Sequence, residues 1–311
     1  MLLGTVLLVA GIVLVLWGAE RFTDGTLGVA RALALSPFYV GAVASGFEPE
    51  NLVTGLAANV AGLPQIALGT VIGAGVFMLT AGLGIALLLV PMNVTIPRAG
   101  PLGMLVVLSV FVLVLFSRGS IHRVAGGVLL FVALAVMVWL YRRSPVLVHA
   151  AKVESPAAAP SRRRAAALLL VGVTAMIIGA ELVVRGVGSL IATAGFSETF
   201  IGMTIVAMGE SPEETARMVV PARRGHPELA WGNVVGTLVI LLGFNLGVIA
   251  LVRPLVADPL VLRLHAPYLI GVSLLVALAL ITSRRLGRGT AAALVSLYVL
   301  YLALNAPHMW P

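Results

Sequence analysis

Two segments of the chain, 37–90 and 197–254, are divergent copies of one apolar unit, and each places a Pro-Glu pair inside its apolar run. A constant offset of 163 residues carries Pro49-Glu50 to Pro212-Glu213. The same offset matches Gly62 with Gly225, Pro64 with Pro227, Gly69 with Gly232, and Gly73 with Gly236. Because a carboxylate in hydrocarbon is costly, two at equivalent places in two repeats indicate a cation site.

The composition places these units in a membrane. Of 311 residues, 60% are hydrophobic and 10% are charged, and the mean hydropathy is +1.10. A soluble domain of this size could not hide so much apolar surface, so the chain is predicted to be an all-α polytopic membrane protein in contact with lipid. The absence of cysteine excludes disulfides and thiolate metal sites. Membrane topology explains the net charge of +8 without a nucleic-acid partner, and no cofactor is expected.

Apolar runs of about 20 residues predict transmembrane helices. The chain offers ten, near 2–19, 37–61, 66–90, 101–117, 122–141, 166–187, 197–221, 228–252, 265–283 and 289–306. A basic segment rich in alanine and proline separates the fifth from the sixth. The predicted organisation is a first five-helix repeat over 1–141, a basic linker over 142–165 and a second five-helix repeat over 166–311.

An odd number of spans in each half makes the second half enter the bilayer from the opposite side. The chain is therefore predicted to be an inverted-topology repeat, an architecture of many secondary transporters. With this topology, 15 of the 20 basic residues fall on one side of the membrane. The positive-inside rule then predicts a cytoplasmic linker, with both termini outside the cell (plasma) membrane.

The Pro-Glu units provide the candidate ligands. Proline disfavours helix in the residue before it, so each unit is expected to break its span near mid-membrane, where the break must line a cavity or a packed site. Carbonyl oxygens and carboxylates together suit a hard cation such as Ca²⁺, which takes roughly 6–8 oxygens. We predict that Glu50 and Glu213 bind the cation, one from each half. The alternative is that these glutamates are protonated or paired and only hold helices together.

Further polar side chains near these units could complete a coordination shell: Glu48, Glu210, Ser45, Thr54, Ser211 and Asn233. Hydroxyls in membrane helices also bond back to their own helix or to a neighbour, which is the competing interpretation for Ser and Thr. Arg217 lies four residues after Glu213 and three after Glu214, so it can reach either on one helix face. We expect it to pair with Glu214 and to leave Glu213 free.

The chain resembles the calcium/cation antiporter superfamily, and especially its prokaryotic sodium/calcium exchangers. The resemblance is carried by Gly18-Ala19-Glu20, Ser36-Pro37, the two Pro-Glu units and the glycine-rich run at 62–73. In that family each repeat supplies a glutamate after proline that binds Ca²⁺ and Na⁺ in turn. The resemblance therefore assigns this role to Glu50 and Glu213.

Two departures from the family pattern concern sodium. The family motif Gly-Thr-Ser-x-Pro-Glu is replaced by Ser-Gly-Phe-Glu-Pro-Glu at 45–50 and by Gly-Glu-Ser-Pro-Glu at 209–213. The Ser-Asn sequence that often follows the glycine-rich run is absent after Gly73 and Gly236. Most oxygen ligands that the family assigns to Na⁺ are missing, so three-sodium coupling does not follow.

The sequence predicts a secondary active antiporter that exchanges Ca²⁺, or another divalent cation, for Na⁺ or H⁺ by alternating access. Three alternatives stay open: a monovalent cation/proton exchanger, a cation channel, and a non-transporting degenerate member of the same fold. An enzyme is not expected, because the carboxylates have no partner nucleophile, histidine-rich metal motif or phosphate loop.

Overall fold

The computed structural model of the chain describes residues 2–33, 39, 42, 49–94, 107–112, 114–115, 119–150, 161–191 and 196–310. These residues form ten helical segments: α1 (Leu2–Ala32), α2 (Pro49–Val60), α3 (Pro64–Leu89), α4 (107–112, with 114–115), α5 (Arg123–Ala150), α6 (Arg162–Ile191), α7 (198–223), α8 (Pro227–Val252), α9 (Val261–Thr282) and α10 (Arg288–Asn305). Four two-residue strands connect them: β1 (Met92–Asn93), β2 (Ser120–Ile121), β3 (Leu255–Val256) and β4 (Arg285–Leu286). Their order follows the ten predicted spans.

Six helices of the described part are long and apolar enough to cross a membrane: Leu3–Val29, Pro64–Leu89, Arg123–Arg142, Pro227–Val252, Val261–Thr282 and Arg288–His308. The predicted spans at 37–61 and 101–117 lie partly outside the described residues. Helix α1 is longer than the span predicted at 2–19, because buried Phe22, Thr23 and Thr26 continue its packing on protein. Helices α5 and α6 reach into the segment predicted as a linker, to Ala150 and from Arg162.

Equivalent helices of the two repeats run antiparallel. At one end of the α3/α8 pair, the Trp231 indole Nε1–H of α8 donates to the Asn93 carbonyl just after α3, at 2.8 Å. At the other end, the Gln65 amide of α3 donates to the Val256 carbonyl after α8, at 3.1 Å. The start of each helix therefore lies beside the end of its counterpart, which is the inverted relation that the odd span count predicts.

Helices α1 and α6 show the same relation through glycine contacts. A Cβ atom on Gly18 would lie 2.9 Å from the Gly172 carbonyl oxygen, and one on Gly179 would lie 2.8 Å from that of Gly11. Residue numbers rise along α1 as they fall along α6, so the two helices are antiparallel. Small residues allow this close approach, which replaces the hydrophobic effect as a source of helix association in lipid.

The short strands tie the halves together. Strand β1 pairs with β4 and β2 pairs with β3, both antiparallel. Each pair joins the segment after the third helix of one half to the segment before the fifth helix of the other. The connections are thereby satisfied in backbone hydrogen bonds at both ends of the helix bundle.

Helices α3 and α8 form the centre of the molecule. In the 18-residue apolar stretch of each helix, 89% of the residues are buried in α3 and 83% in α8, whereas 28% are buried in each of α5 and α10. The outer helices expose large apolar side chains such as Val124 and Phe131. Such exposure in a membrane protein is a lipid-facing surface, so the buried polar residues of the centre are those that require an explanation.

Candidate cation site

Helix α7 carries the second Pro-Glu unit and continues through Pro212. The predicted break of this span is therefore wrong. The backbone widens into a π-helical stretch at Ile201–Val206 and returns to a regular helix at Ala207. A proline in a helix interior costs about 3 kcal/mol, whereas a full break would leave several backbone groups unsatisfied in hydrocarbon. The first unit begins α2 at Pro49, and residues 43–48 before it lie outside the described part.

The two repeats meet where glycines bring helix backbones into contact. A Cβ atom on Gly236 of α8 would lie 2.0 Å from the Ala42 carbonyl oxygen, and one on Gly73 of α3 would lie 2.7 Å from the Met203 carbonyl oxygen. Gly73 and Gly236 are equivalent at the offset of 163 residues, and Ala42 and Met203 are equivalent at an offset of 161, which also matches the preceding Gly41 with Gly202. The two contacts are therefore a symmetric pair, and each Pro-Glu unit follows within ten residues of its contact.

Glu213 of the second unit forms a buried ion pair with Arg217, one helical turn later on α7. The side chains are 1% and 0% exposed, and the Arg217 guanidinium carbon lies 5.8 Å from the centre of the Phe22 ring of α1. The expectation that Arg217 leaves Glu213 free is wrong. The helix permits both pairings, and α1 closes over the face on which Arg217 meets Glu213. Glu214 is also buried and has an interaction of its own.

Asn233 of α8 is the second predicted ligand that the structure buries completely. Neither its amide nitrogen nor its oxygen has a hydrogen-bond partner among the described residues. A buried polar group without a partner costs about 1–3 kcal/mol, so this amide is a candidate for binding a ligand. Thr54 of α2, another predicted ligand, is half-buried.

The remaining predicted ligands are not tested by these contacts. Ser45 and Glu48 lie outside the described residues, and the structure gives only the backbone of Glu50, Glu210 and Ser211. Within the described part, no group of three or more His, Cys, Asp or Glu residues could hold a metal ion. Glu213 and Asn233 are therefore the buried candidate ligands among the described side chains, and both belong to the second half. A site between the two halves also requires ligands from the first Pro-Glu unit.

Comparison with known proteins decides the family. The profile described as "Sodium/calcium exchanger protein" matches residues 3–142 and 164–306.

The chain belongs to the sodium/calcium exchanger family.

It is 30% identical over 269 residues to CaxA of Alkalimonas amylolytica, a proposed antiporter, and the match covers 83% of each chain. It is 28% identical to the inner membrane protein YrbG of Escherichia coli, over 98% of this chain and 97% of that protein. A solved structure of the sodium-calcium exchanger NCX_Mj, soaked with Na⁺ and Sr²⁺, superposes with a TM-score of 0.81 at 25% identity, covering 97% and 98% of the two chains.

Membership in this exchanger family confirms three predictions. The chain is a membrane transporter of the cation antiporter class, it is not an enzyme, and its fold is the ten-helix inverted repeat. The family resemblance found from the sequence motifs is confirmed over both halves.

A buried polar cluster in the second half of this exchanger was missed by sequence reasoning. The Tyr301 hydroxyl of α10 lies 2.8 Å from His265 Nδ1 of α9 and donates to the Met203 carbonyl of α7 at 3.3 Å. Beside it, the Asn305 amide donates to the Thr204 hydroxyl at 2.7 Å. The five histidines have no metal-ligand spacing in the sequence, and only the packing of α9 and α10 on the π-helical stretch of α7 brings His265 into a network.

Replacing Tyr301 by phenylalanine is expected to destabilise the protein by about 1–3 kcal/mol, because the change removes the hydroxyl between His265 and the Met203 carbonyl. Tyr298 provides the matched control, since its buried hydroxyl has no partner among the described residues. Tyr298→Phe should be neutral or slightly stabilising. Thermal unfolding of the purified protein in detergent measures both, and equal melting temperatures for the two variants would contradict the assignment.

Proposed function

We propose that this chain exchanges a metal cation for Na⁺ or H⁺ across the membrane, with the cation held between the two repeats near Glu213, Asn233 and Glu50. The single observation that supports this site is the fully buried Glu213 on α7 of an exchanger-family fold. Ionisable residues inside a membrane are functional by default, because their burial is otherwise unfavourable. Glu48, Glu210, Ser45, Thr54 and Ser211 are proposed as further contributors of oxygen.

Helix geometry supports a site at mid-membrane depth. Glu213 lies ten residues before the end of α7 at Arg223, which corresponds to about 15 Å along a helix. Half the hydrocarbon core is also about 15 Å thick. Asn233 lies six residues after the start of α8, about 9 Å along that helix. Both residues therefore lie well below the connecting loop at 224–226.

Alternating access would move the α1/α6 pair against the core of α2, α3, α7 and α8. The pair packs on α7 through a small apolar cluster of its own, which includes Phe22, Met176 and Ala216 and is separate from the main core. A small interface can slide or rock with less loss of packing than a continuous core. The glycine contacts between α1 and α6 keep the two helices together as one unit.

Ca²⁺ is the candidate cation that the names of two relatives suggest. MaX1 of Methanosarcina acetivorans, 30% identical over 136 residues and 44% of this chain, is a sodium/calcium exchanger, and so is NCX_Mj. A monovalent cation is the second candidate, because the Arg217 charge lies beside Glu213. Cation and driving ion would occupy the same carboxylates in turn, and competition for shared charge is the simplest basis for exchange. The proposal also includes the predicted organisation and topology: a first repeat at 1–141, a cytoplasmic linker at 142–165, a second repeat at 166–311, and both termini outside.

Reconstituted vesicles test the exchange. An outward Na⁺ or H⁺ gradient is expected to drive uptake of the transported cation, and collapsing the gradient should stop it. Parallel assays with Ca²⁺, Mn²⁺, K⁺ and Na⁺ identify the cation class. Cation current that persists without a counter-ion would select a channel instead, and absence of flux for every cation and gradient would select a non-transporting member of the fold.

A further inference from the structure

The Arg217–Glu213 pair places a permanent positive charge beside the second-repeat glutamate. Both side chains are buried, and Phe22 of α1 lies over the guanidinium. The arginine guanidinium is a planar, delocalised positive charge. Buried charges are screened much less than exposed ones, so this charge acts on any ion that approaches Glu213.

The two repeats differ in this charge. The residue equivalent to Arg217 in the first repeat is Thr54, which is half-buried on α2. Each repeat therefore has a glutamate after proline, and four residues later one repeat has a hydroxyl and the other has a guanidinium. The carboxylates differ as well, because the second repeat has the buried Glu214 where the first repeat has Asn51. A hydroxyl in place of the Arg217 guanidinium would therefore remove one positive charge from beside two buried carboxylates, Glu213 and Glu214.

Coulomb energy is proportional to the product of the charges, so a fixed positive charge repels a divalent cation twice as strongly as a monovalent one at the same distance. When Arg217 neutralises Glu213, the electrostatic attraction between the site and a cation also decreases in proportion to the charge of the cation. Both effects therefore weaken the binding of Ca²⁺ more than the binding of Na⁺. The guanidinium also holds the carboxylate in a buried pair, which any incoming cation must disrupt.

We propose that Arg217 is the specificity-determining residue of this exchanger: its guanidinium compensates Glu213 and so favours monovalent over divalent cations. The inference rests on the proposed site at Glu213, and it narrows the transported class to Na⁺-like or K⁺-like ions. In the absence of the transported ion, the Arg217 guanidinium forms the ion pair with the Glu213 carboxylate in its place.

Equilibrium binding separates this inference from transport itself. Purified full-length protein in detergent is titrated with CaCl₂ and with NaCl, and binding is measured by calorimetry and by the shift in melting temperature. The wild type should prefer Na⁺ to Ca²⁺. Arg217→Thr, which copies the first-repeat residue, should raise the Ca²⁺-to-Na⁺ affinity ratio at least about tenfold, whereas Arg217→Lys keeps the charge and should leave the ratio close to wild type.

Arg185→Thr is the matched control. Arg185 pairs with Glu181 at the same helical spacing, but the two side chains are 68% and 55% exposed. This variant should leave both affinities unchanged, because an exposed charge is screened by water and salt.

Three results would overturn the inference: a wild type that prefers Ca²⁺, an unchanged affinity ratio in Arg217→Thr, or a ratio in Arg217→Lys that rises as far as in Arg217→Thr. Where Arg217→Thr does not fold, a wild type that prefers Ca²⁺ still overturns the inference, and Arg217→Gln, which also removes the charge, replaces Arg217→Thr in the comparison. A shifted affinity ratio without vesicle flux would support the role of Arg217 and contradict exchange. If the wild type transports Ca²⁺ in a coupled way even when the Ca²⁺ concentration is far below the Na⁺ concentration, the result would support exchange and contradict the role of Arg217.

Discussion

Glu213→Gln is expected to abolish coupled cation flux in vesicles and to destabilise the protein. The substitution removes the buried carboxylate of the proposed site and breaks its ion pair with the buried Arg217 guanidinium, over which Phe22 lies. Removing one partner of a buried pair costs about 3–5 kcal/mol. Flux is measured with the driving gradient of the wild type, and stability is measured by thermal unfolding in detergent.

Two comparisons separate the loss of a ligand from the loss of stability. Glu181→Gln removes the carboxylate of an exposed pair with the same spacing, and should change stability by at most about 1 kcal/mol and leave flux intact. In the double variant Glu213→Gln/Arg217→Met both charges are gone, so stability should recover while flux stays absent. Wild-type flux in either variant that lacks Glu213 would exclude this carboxylate from the transport mechanism.

Among glycine-to-alanine substitutions at the contact between the repeats, Gly236→Ala is expected to lower the stability of the protein most. The new Cβ atom would lie 2.0 Å from the carbonyl oxygen and 2.5 Å from the Cα atom of Ala42, and backbone atoms cannot rotate away as a side chain can. Overpacking usually costs about 1–3 kcal/mol, and separation of two central helices adds to this. We expect a lower melting temperature and a smaller monodisperse fraction after size-exclusion chromatography.

The equivalent glycines give an order of effects. Gly73→Ala, whose Cβ atom would lie 2.7 Å from the Met203 carbonyl oxygen, should be less disruptive than Gly236→Ala. Gly271→Ala in α9 is the control, because no atom lies within 4 Å of the added methyl group. It should be neutral or stabilising, since alanine is the better helix former. Equal melting temperatures for Gly236→Ala and Gly271→Ala would contradict the contact between α8 and Ala42.

Much of the architecture was predictable because the bilayer restricts what a sequence can do. Hydrocarbon admits only helices with internally satisfied backbones, so apolar runs of sufficient length indicate spans directly. The constant offset between the halves, together with five spans in each, predicts that α3 and α8 are antiparallel. The hydrogen bonds of Trp231 and Gln65 show that they are.

The errors concern choices that the helix pattern leaves open. Proline at position 212 predicts a break, but the surrounding buried residues of α7 keep the helix continuous and shift the distortion to the π-helical stretch before it. Arg217 is three residues from one glutamate and four from another, and both spacings bring side chains together. The position of Phe22 on α1, far away in the sequence, decides the environment of the guanidinium.

The sequence by itself determined the membrane environment, the ten-helix count, the inverted repeat and the family, because each depends on periodic apolar runs or on residues matched at a constant offset. Tertiary structure alone decided that Glu213 is paired with Arg217, that α7 passes unbroken through Pro212, and that His265 belongs to a buried network with Tyr301. These features depend on which helices lie side by side. Local spacing offers several partners to a charged or polar side chain, and only the packing of the neighbouring helices decides which contacts form.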